Sequence, residues 1–107
     1  MTRVGIIRCA AYSEKCAGYK CFPALRERTG PFAEYEDELL LIGFDTCGGC
    51  SRNEMGKIVD RAVRLRDRGA EVIHLGNCLV SACPWAQVFR DAIIKETGVP
   101  VALRTHP

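Results

Sequence analysis

The sequence lacks any long hydrophobic run. No segment approaches the roughly 18 consecutive apolar residues that a membrane-spanning helix needs, and the first apolar run, "VGII", ends at Arg8. This amino-terminal segment is therefore expected to form a strand rather than a signal peptide. These absences predict a cytoplasmic protein that has no membrane partner.

Motifs for nucleotides and nucleic acids are also absent. Neither GxGxxG nor a P-loop occurs, so a nucleotide or flavin site has no local support. The 15 basic and 13 acidic residues are interspersed along the chain without a basic stripe, so no nucleic-acid partner is expected. With 107 residues and no internal repeat, residues 1–107 are predicted to form a single domain with one core.

Cysteine, in contrast, is abundant. The chain has seven cysteines, and an odd number without an export signal argues against a disulfide framework. Two of them, Cys47 and Cys50, lie in "GFDTCGGCSRNE" and are separated by Gly48 and Gly49. The two glycines let the backbone fold tightly, so that both sulfurs approach one point and the glycines line a bound cofactor. The motif suits either a thiolate-bound metal or a dithiol that forms a disulfide.

The apolar pattern predicts an α/β fold. Continuous apolar runs at 4–7, 39–44, 72–75 and 99–103 are typical of strands buried on both faces of a parallel sheet. Helical periodicity and terminal glycines predict helices over 22–28, 55–65 and 85–93. The expected architecture is a three-layer sandwich with a four-stranded, mostly parallel sheet in the order β-α-β-α-β-α-β. Residues 10–20 and 30–38 are predicted to be loops.

Every cysteine follows a predicted strand and precedes, or begins, a predicted helix. In a parallel sheet these positions share the carboxyl edge, which is where open α/β sheets bind their ligands. We therefore expect a cysteine-rich carboxyl edge, and His106, which follows the last strand, lies there too. Strand by strand, the cysteines are Cys9, Cys16 and Cys21 after the first, Cys47 and Cys50 after the second, and Cys78 and Cys83 after the third.

Helix starts are predicted beside two of these groups. Ser51 and Glu54 fit a capping box, so a helix would begin directly after Cys50. The N–H groups and partial positive charge at its start would favour thiolates and an anionic metal–thiolate centre. Cys83 precedes Pro84, which is expected in the first turn of the last helix.

Four thiolates can hold either an iron–sulfur cluster or a zinc ion. The cluster is slightly favoured, because an all-thiolate set with cysteines to spare suits it better than one structural zinc. His74, inside the third strand, is expected to be a hydrogen-bonded core residue. The ligands are expected to be Cys9, Cys47, Cys50 and Cys78. The second-tier candidates are Cys16, Cys21, Cys83 and His106.

The main alternative is a thiol–disulfide oxidoreductase or sulfur-transfer enzyme with a redox partner protein. In that interpretation Cys47 is the exposed thiolate that attacks, and Cys50 resolves the mixed disulfide. A cysteine phosphatase or arsenate reductase centred on Cys9 is disfavoured, because position 15 is Lys15 where that chemistry needs arginine. A homodimer that covers the thiol-rich edge is compatible with this size.

The segments "VGIIRC", "EKCAGYKCF", "GFDTCGGC" and "NCLVSACPW" resemble the CGGC-domain family of small prokaryotic proteins over nearly the whole chain. The resemblance implies a cysteine-ligated metal or cluster without naming the metal or a reaction. Two positions depart from the family pattern. Ser51 stands where proline often follows the central motif, and Trp85 stands where histidine can follow the late Cys-Pro. The second departure removes a nitrogen ligand and favours an all-sulfur site.

Overall fold

A parallel sheet forms the centre of the computed structural model, which describes residues 1–50 and 54–107. Within that part of the chain four strands pair in the order β2-β1-β3-β4, and every pair is parallel. The predicted α/β fold class is thus confirmed. The elements are β1 (Thr2–Arg8), α1 (Ala10–Ser13), α2 (Cys21–Glu27), a 3₁₀ helix (Gly30–Glu34), β2 (Leu39–Thr46), α3 (Glu54–Asp67), β3 (Val72–Leu75), α4 (Asn77–Ala82), α5 (Ala86–Thr97) and β4 (Val101–Leu103).

Apolar side chains cover both faces of the sheet, because residues alternate between the faces along each strand. On one face α3 and α5 enclose a core that includes Ile7, Ile58 and Phe89. On the other face the fully buried Phe32 of the 3₁₀ helix packs with Val4 and other side chains of a second cluster. The two clusters are the two interfaces of the three-layer sandwich. No helix in either described range is long and apolar enough to span a membrane.

Two glycines set the distance between α3 and the sheet. Gly5 of β1 and Gly43 of β2 are register partners, and the Leu65 side chain of α3 lies over both. A Cβ at Gly5 would lie 3.0 Å from Leu65 Cδ1, and one at Gly43 would overlap the same side chain. The missing side chains therefore allow α3 to pack closely against the strand that leads into the CGGC motif.

Several element boundaries differ from the sequence-based expectation. The predicted loop 10–20 contains the one-turn helix α1, and 30–38 contains the 3₁₀ helix. The α4 helix (Asn77–Ala82) was missed, because it has only 6 residues and buries one of them, Leu79. Helices this short show no apolar period that a sequence pattern could reveal.

Helix ends also differ from the prediction. Cys83 is the C-cap of α4, and α5 begins at Ala86, so Pro84 does not lie in the first turn of the last helix. Helix α2 ends at Glu27, and its C-cap Arg28, with φ 61°, supplies the left-handed stop expected nearer Gly30. The expected stop at Gly98 is confirmed, with φ 71°. The capping box expected of Ser51 and Glu54 lies outside the described residues and side chains.

Candidate functional site

The carboxyl edge of the sheet brings the cysteine-bearing segments side by side. Because β1 lies between β2 and β3, the residues after β1 contact those after both neighbours. The ladder continues past the strand ends: Cys47 N–H donates to the Arg8 carbonyl at 2.8 Å, and Gly76 N–H donates to the Ile7 carbonyl at 2.8 Å. These hydrogen bonds fix the starting points of the loops that carry the thiols.

Four cysteines line a small cavity at this edge, called here the first cavity. Its volume is about 20 Å³. Cys9 and Cys47 are buried and Cys50 is exposed. Cys47 Sγ accepts a hydrogen bond from Ala10 N–H at 3.4 Å. The lining residues are Cys9, Cys47, Gly49, Cys50, Leu79, Cys83 and Phe89.

The CGGC segment has a backbone that requires glycine. Gly48 and Gly49 have φ values of 93° and 101°, a region in which other residues are strained. Gly48 N–H donates to Thr46 Oγ1 at 3.3 Å, while the Arg61 guanidinium of α3 lies 3.3 Å from the Thr46 carbonyl and 3.7 Å from Asp45. The motif therefore begins beside hydrogen-bonded and charged contacts at Thr46 and Asp45 and continues through two residues with positive φ.

Three further cysteines line a larger cavity, called here the second cavity, with a volume of about 170 Å³. Cys78 Sγ accepts a hydrogen bond from Cys9 N–H at 3.4 Å. Arg8 and Lys20 contribute positive charge, and the lining residues include no carboxylate. The lining residues are Arg8, Tyr12, Cys16, Gly18, Tyr19, Lys20, Cys21, Asn77, Cys78 and His106.

Cys16 and Cys21 differ in environment although both line the second cavity. Hydrogen bonds from the backbone N–H groups of Gly18 and Tyr19 lower the pKa of the half-buried Cys16 thiol, and the Arg8 charge acts in the same direction. Burial raises the pKa of the Cys21 thiol, although its hydrogen bond with Thr105 at 3.1 Å opposes that shift. The second cavity thus holds one thiol with a lowered pKa, Cys16, and one with a raised pKa, Cys21.

Asn77 is a site residue that sequence reasoning missed. Its Oδ1 accepts hydrogen bonds from Thr105 N–H at 2.7 Å and from His106 N–H at 3.2 Å. Its Nδ2 donates to the His106 carbonyl at 2.9 Å. These bonds hold the carboxyl-terminal segment over the start of α4 and so place His106 at the second cavity. The signal in the sequence was a polar amide directly between a strand and a cysteine.

His74 is a core residue, as its place in β3 predicted. It is 1% exposed, its Nδ1 lies 2.9 Å from the Arg104 carbonyl and its Nε2 lies 2.7 Å from Tyr35 Oη. A carbonyl only accepts, so Nδ1 carries the proton and Nε2 accepts from the tyrosine. Burial lowers the pKa of His74, and the imidazole is neutral and fully hydrogen-bonded.

The structure divides the expected ligand set between the two cavities. Cys9, Cys47 and Cys50 share the first cavity with Cys83, whereas Cys78 lines the second with Cys16, Cys21 and His106. The expected order of exposure in the CGGC pair is wrong, because Cys47 is buried and Cys50 is exposed. No three His, Cys, Asp or Glu side chains form a ready-made metal site anywhere in the described part of the chain.

Comparison with known proteins gives a family and a fold. Residues 3–106 match the CGGC domain. The chain is 34% identical over 115 residues to the uncharacterized protein MJ0582 of Methanocaldococcus jannaschii, a match that covers 97% of this chain and 86% of the relative.

The structure is also similar to the crystal structure of arylmalonate decarboxylase, with a TM-score of 0.52 and 21% identity. That match covers 94% of this chain but only 40% of the decarboxylase, and at this identity it concerns the fold alone. The match to the CGGC domain spans nearly the whole sequence, as the four quoted segments predicted. The chain therefore belongs to the CGGC-domain family.

Proposed function

We propose that this chain is a thiolate metal-binding protein that holds a single soft metal ion, zinc in the first instance, in the first cavity. The observation that carries the proposal is that Cys9, Cys47, Cys50 and Cys83 line one small cavity although they come from three separate segments. Four cysteine sulfurs are the donor set of structural zinc sites. Cys83 takes the place that the sequence analysis gave to Cys78.

The size of the cavity favours a single ion over a cluster. A cavity needs about 10–15 Å³ to hold one water molecule, and the first cavity has about 20 Å³. That space is suited to one ion, whereas a cubane of iron and sulfide atoms would have to displace Leu79 or Phe89. Cys83 is the C-cap of α4, so the end of that helix fixes its backbone at the first cavity and supports its place among the ligands.

We expect metal binding to change the position of Cys50, because the four cysteines do not yet surround a single point. Cys50 is exposed, and the glycines before it permit backbone conformations closed to other residues. Cys47 already accepts a backbone hydrogen bond, of the kind that stabilises metal-bound thiolates. We expect the ion to draw Cys50 inward and to release protons from the thiols as it binds.

The chemistry that such an ion would supply is cross-linking and charge stabilisation. The segments after β1 and β2 and the end of α4 would be joined through one centre, while the Ala10 N–H group offsets part of the sulfur charge. A reducing cytoplasm, which keeps thiols available, is the compartment that suits this site.

The test is metal and acid-labile sulfide analysis of protein purified without oxygen. We expect one zinc ion per chain and no sulfide, and Cys50→Ser should lower zinc affinity by more than about tenfold. Cys16→Ser is the matched control, since it removes an accessible thiol of the second cavity and should leave zinc binding unchanged. Iron with stoichiometric sulfide would contradict the single-ion proposal and support the cluster expected from the sequence.

Disulfide exchange by Cys47 and Cys50 is the competing proposal. Its support is the spacing of the pair, but the attacking residue it names is the buried one. The same samples distinguish the two proposals. Protein without metal whose Cys47 and Cys50 cycle reversibly between dithiol and disulfide would contradict metal binding and favour the oxidoreductase.

A further inference from the structure

We propose that the second cavity is a separate thiol–disulfide exchange site for small anionic disulfides, in which Cys16 attacks and Cys21 resolves. The cavity, the thiol pair and the charges around them carry this inference independently of the first cavity. The substrate class is a low-molecular-weight disulfide whose two halves bear carboxylates.

The position of Cys16 suits an attacking thiol. It is half-buried rather than enclosed, so a substrate sulfur can reach it. Its Sγ accepts a hydrogen bond from Gly18 N–H at 3.4 Å, across a turn that Gly18 makes with φ 85°. This donor lowers the pKa of Cys16, and the thiolate is the form that attacks a disulfide.

Cys21 has the complementary character of a resolving thiol. It is buried at the first residue of α2, and the Thr105 hydroxyl holds its sulfur at 3.1 Å. Cys21 lines the same cavity as Cys16, and the charges of Cys78 and, to a smaller extent, Cys16 add to the rise in the pKa of Cys21. A buried, protonated thiol does not react with bulk disulfides, but it can displace the outer half of a mixed disulfide formed beside it.

The charges of the second cavity select an anion. Arg8 and Lys20 line it, and no Asp or Glu does so among the residues described there. The Arg8 guanidinium donates to the Cys16 carbonyl and stacks 4.5 Å from the Phe44 ring centre, which fixes the cation beside the attacking residue. A substrate carboxylate in the cavity would meet the Arg8 and Lys20 side chains that line it.

The cavity volume limits the substrate to a small molecule. At about 170 Å³ it is smaller than the roughly 300–1,000 Å³ of sites that enclose drug-sized ligands. A cavity of this size suits part of a small molecule, such as the carboxylate-bearing end of one half of a disulfide.

The reaction balances within these groups. The Cys16 thiolate attacks one sulfur of the small disulfide, forming a mixed disulfide and releasing the other half as a thiolate. That thiolate takes the proton of Cys21, and Cys21 then attacks the Cys16 sulfur and releases the second half as a thiolate. Two protein thiols are oxidised to the Cys16–Cys21 disulfide, and one substrate disulfide is reduced to two thiols.

The test uses glutathione disulfide, a peptide disulfide with carboxylates on both halves, added to the full chain without oxygen. Peptide mass mapping should find the Cys16–Cys21 disulfide with two glutathione molecules released per chain. Cys21→Ser should stop the reaction at the mixed disulfide on Cys16. Cys16→Ser should abolish the modification of Cys21, and zinc content measured on the same samples reports the first cavity separately.

A charge substitution tests the selectivity for anions. Lys20→Gln should slow the reaction with glutathione disulfide about two- to tenfold and leave the reaction with the neutral 2-hydroxyethyl disulfide unchanged. Lys95→Gln on α5 is the matched control and should alter neither rate. A disulfide between Cys16 and Cys78 or between Cys47 and Cys50, or modification of all exposed cysteines at one rate, would overturn the proposal.

Discussion

Cys16 and Cys21 show how local hydrogen bonding and burial shift the pKa values of two chemically identical side chains in opposite directions. The backbone N–H groups after Cys16 stabilise its thiolate, while burial opposes charge on Cys21. Neither effect can be derived from residue type or spacing, since both follow from the turn at Gly18 and the packing of Thr105. The sequence identified the thiols but not their roles.

The lowered pKa of Cys16 predicts a shifted alkylation profile. The rate of its reaction with iodoacetamide should reach half its maximum at a lower pH in the folded protein than in the same chain unfolded in urea, because only the thiolate reacts. Arg8 and Lys20 are the cations that face this sulfur and Cys21 is the neighbouring thiol. Mass spectrometry of the Cys16 peptide measures the rate, and identical midpoints in the two states would contradict the assignment.

The lowered pKa of His74 predicts a loss of stability in mild acid. In the unfolded chain His74 binds a proton with its ordinary pKa of about 6.5. In the folded protein the pKa of His74 is lower, because burial disfavours the charged imidazole. The free energy of unfolding should therefore fall as the pH drops below that value and level off below the folded pKa. Urea titrations at several pH values measure the slope.

Substitution of His74 isolates this contribution. His74→Asn should remove that slope and lower the free energy of unfolding by about 1–3 kcal/mol at neutral pH, because Tyr35 and the Arg104 carbonyl lose a partner. Tyr35→Phe keeps the imidazole and should retain the slope. A slope that persists unchanged in His74→Asn would assign it to other groups.

At the scale of elements, close packing of α3 on the sheet depends on Gly5 and Gly43. Gly43→Ala should destabilise the protein by about 1–3 kcal/mol, because the new methyl group overlaps Leu65. Thermal or urea unfolding of the variant, with its far-ultraviolet spectrum as a check on the fold, measures the change.

A double-mutant cycle with Leu65→Ala supplies the control for this prediction. Once the side chain that meets the methyl group is shortened, the alanine at position 43 should cost less than it does in the parent. Additive effects of Gly43→Ala and Leu65→Ala would contradict the proposed overlap.

The long elements were predictable and the short ones were not. Continuous apolar runs identified the four described strands. The central strands β1 and β3 are buried as this pattern predicts, whereas the edge strands β2 and β4 are partly exposed. The one-turn α1 buries none of its residues and the short α4 buries only Leu79, so neither has an apolar period that the sequence could reveal. Missing α4 had a consequence for the site, because that helix separates Cys78 at its start from Cys83 at its end.

At the scale of the whole molecule, the sheet topology places the cysteines at one edge, and the paths of the loops determine which of the two cavities each cysteine lines. A parallel sheet with cysteines after its strands predicts a thiol-rich edge from the sequence alone. The division into two cavities depends on the strand order and on α4, which spacing does not encode. Of the expected ligands, Cys9, Cys47 and Cys50 line the first cavity and Cys78 lines the second, with its sulfur 3.4 Å from the backbone nitrogen of Cys9.

Bound zinc should stabilise the whole fold through the first cavity. An ion that binds the folded chain far more tightly than the unfolded one raises the free energy of unfolding by about 2.7 kcal/mol at a free concentration 100 times its dissociation constant. Thermal unfolding with and without zinc measures this effect. Cys50→Ser should lose it while Cys16→Ser retains it, and equal stabilisation of both variants would place the ion elsewhere.

The most direct test of the account compares Cys83→Ser with Cys78→Ser in a zinc competition titration against a chromophoric chelator. Cys78 lies in the first turn of α4 and Cys83 is the C-cap of the same helix, but only Cys83 lines the first cavity. We predict that Cys83→Ser weakens zinc binding by more than about tenfold and that Cys78→Ser binds like the parent. Weakened binding in Cys78→Ser with parental binding in Cys83→Ser would contradict the assignment of the metal to the first cavity.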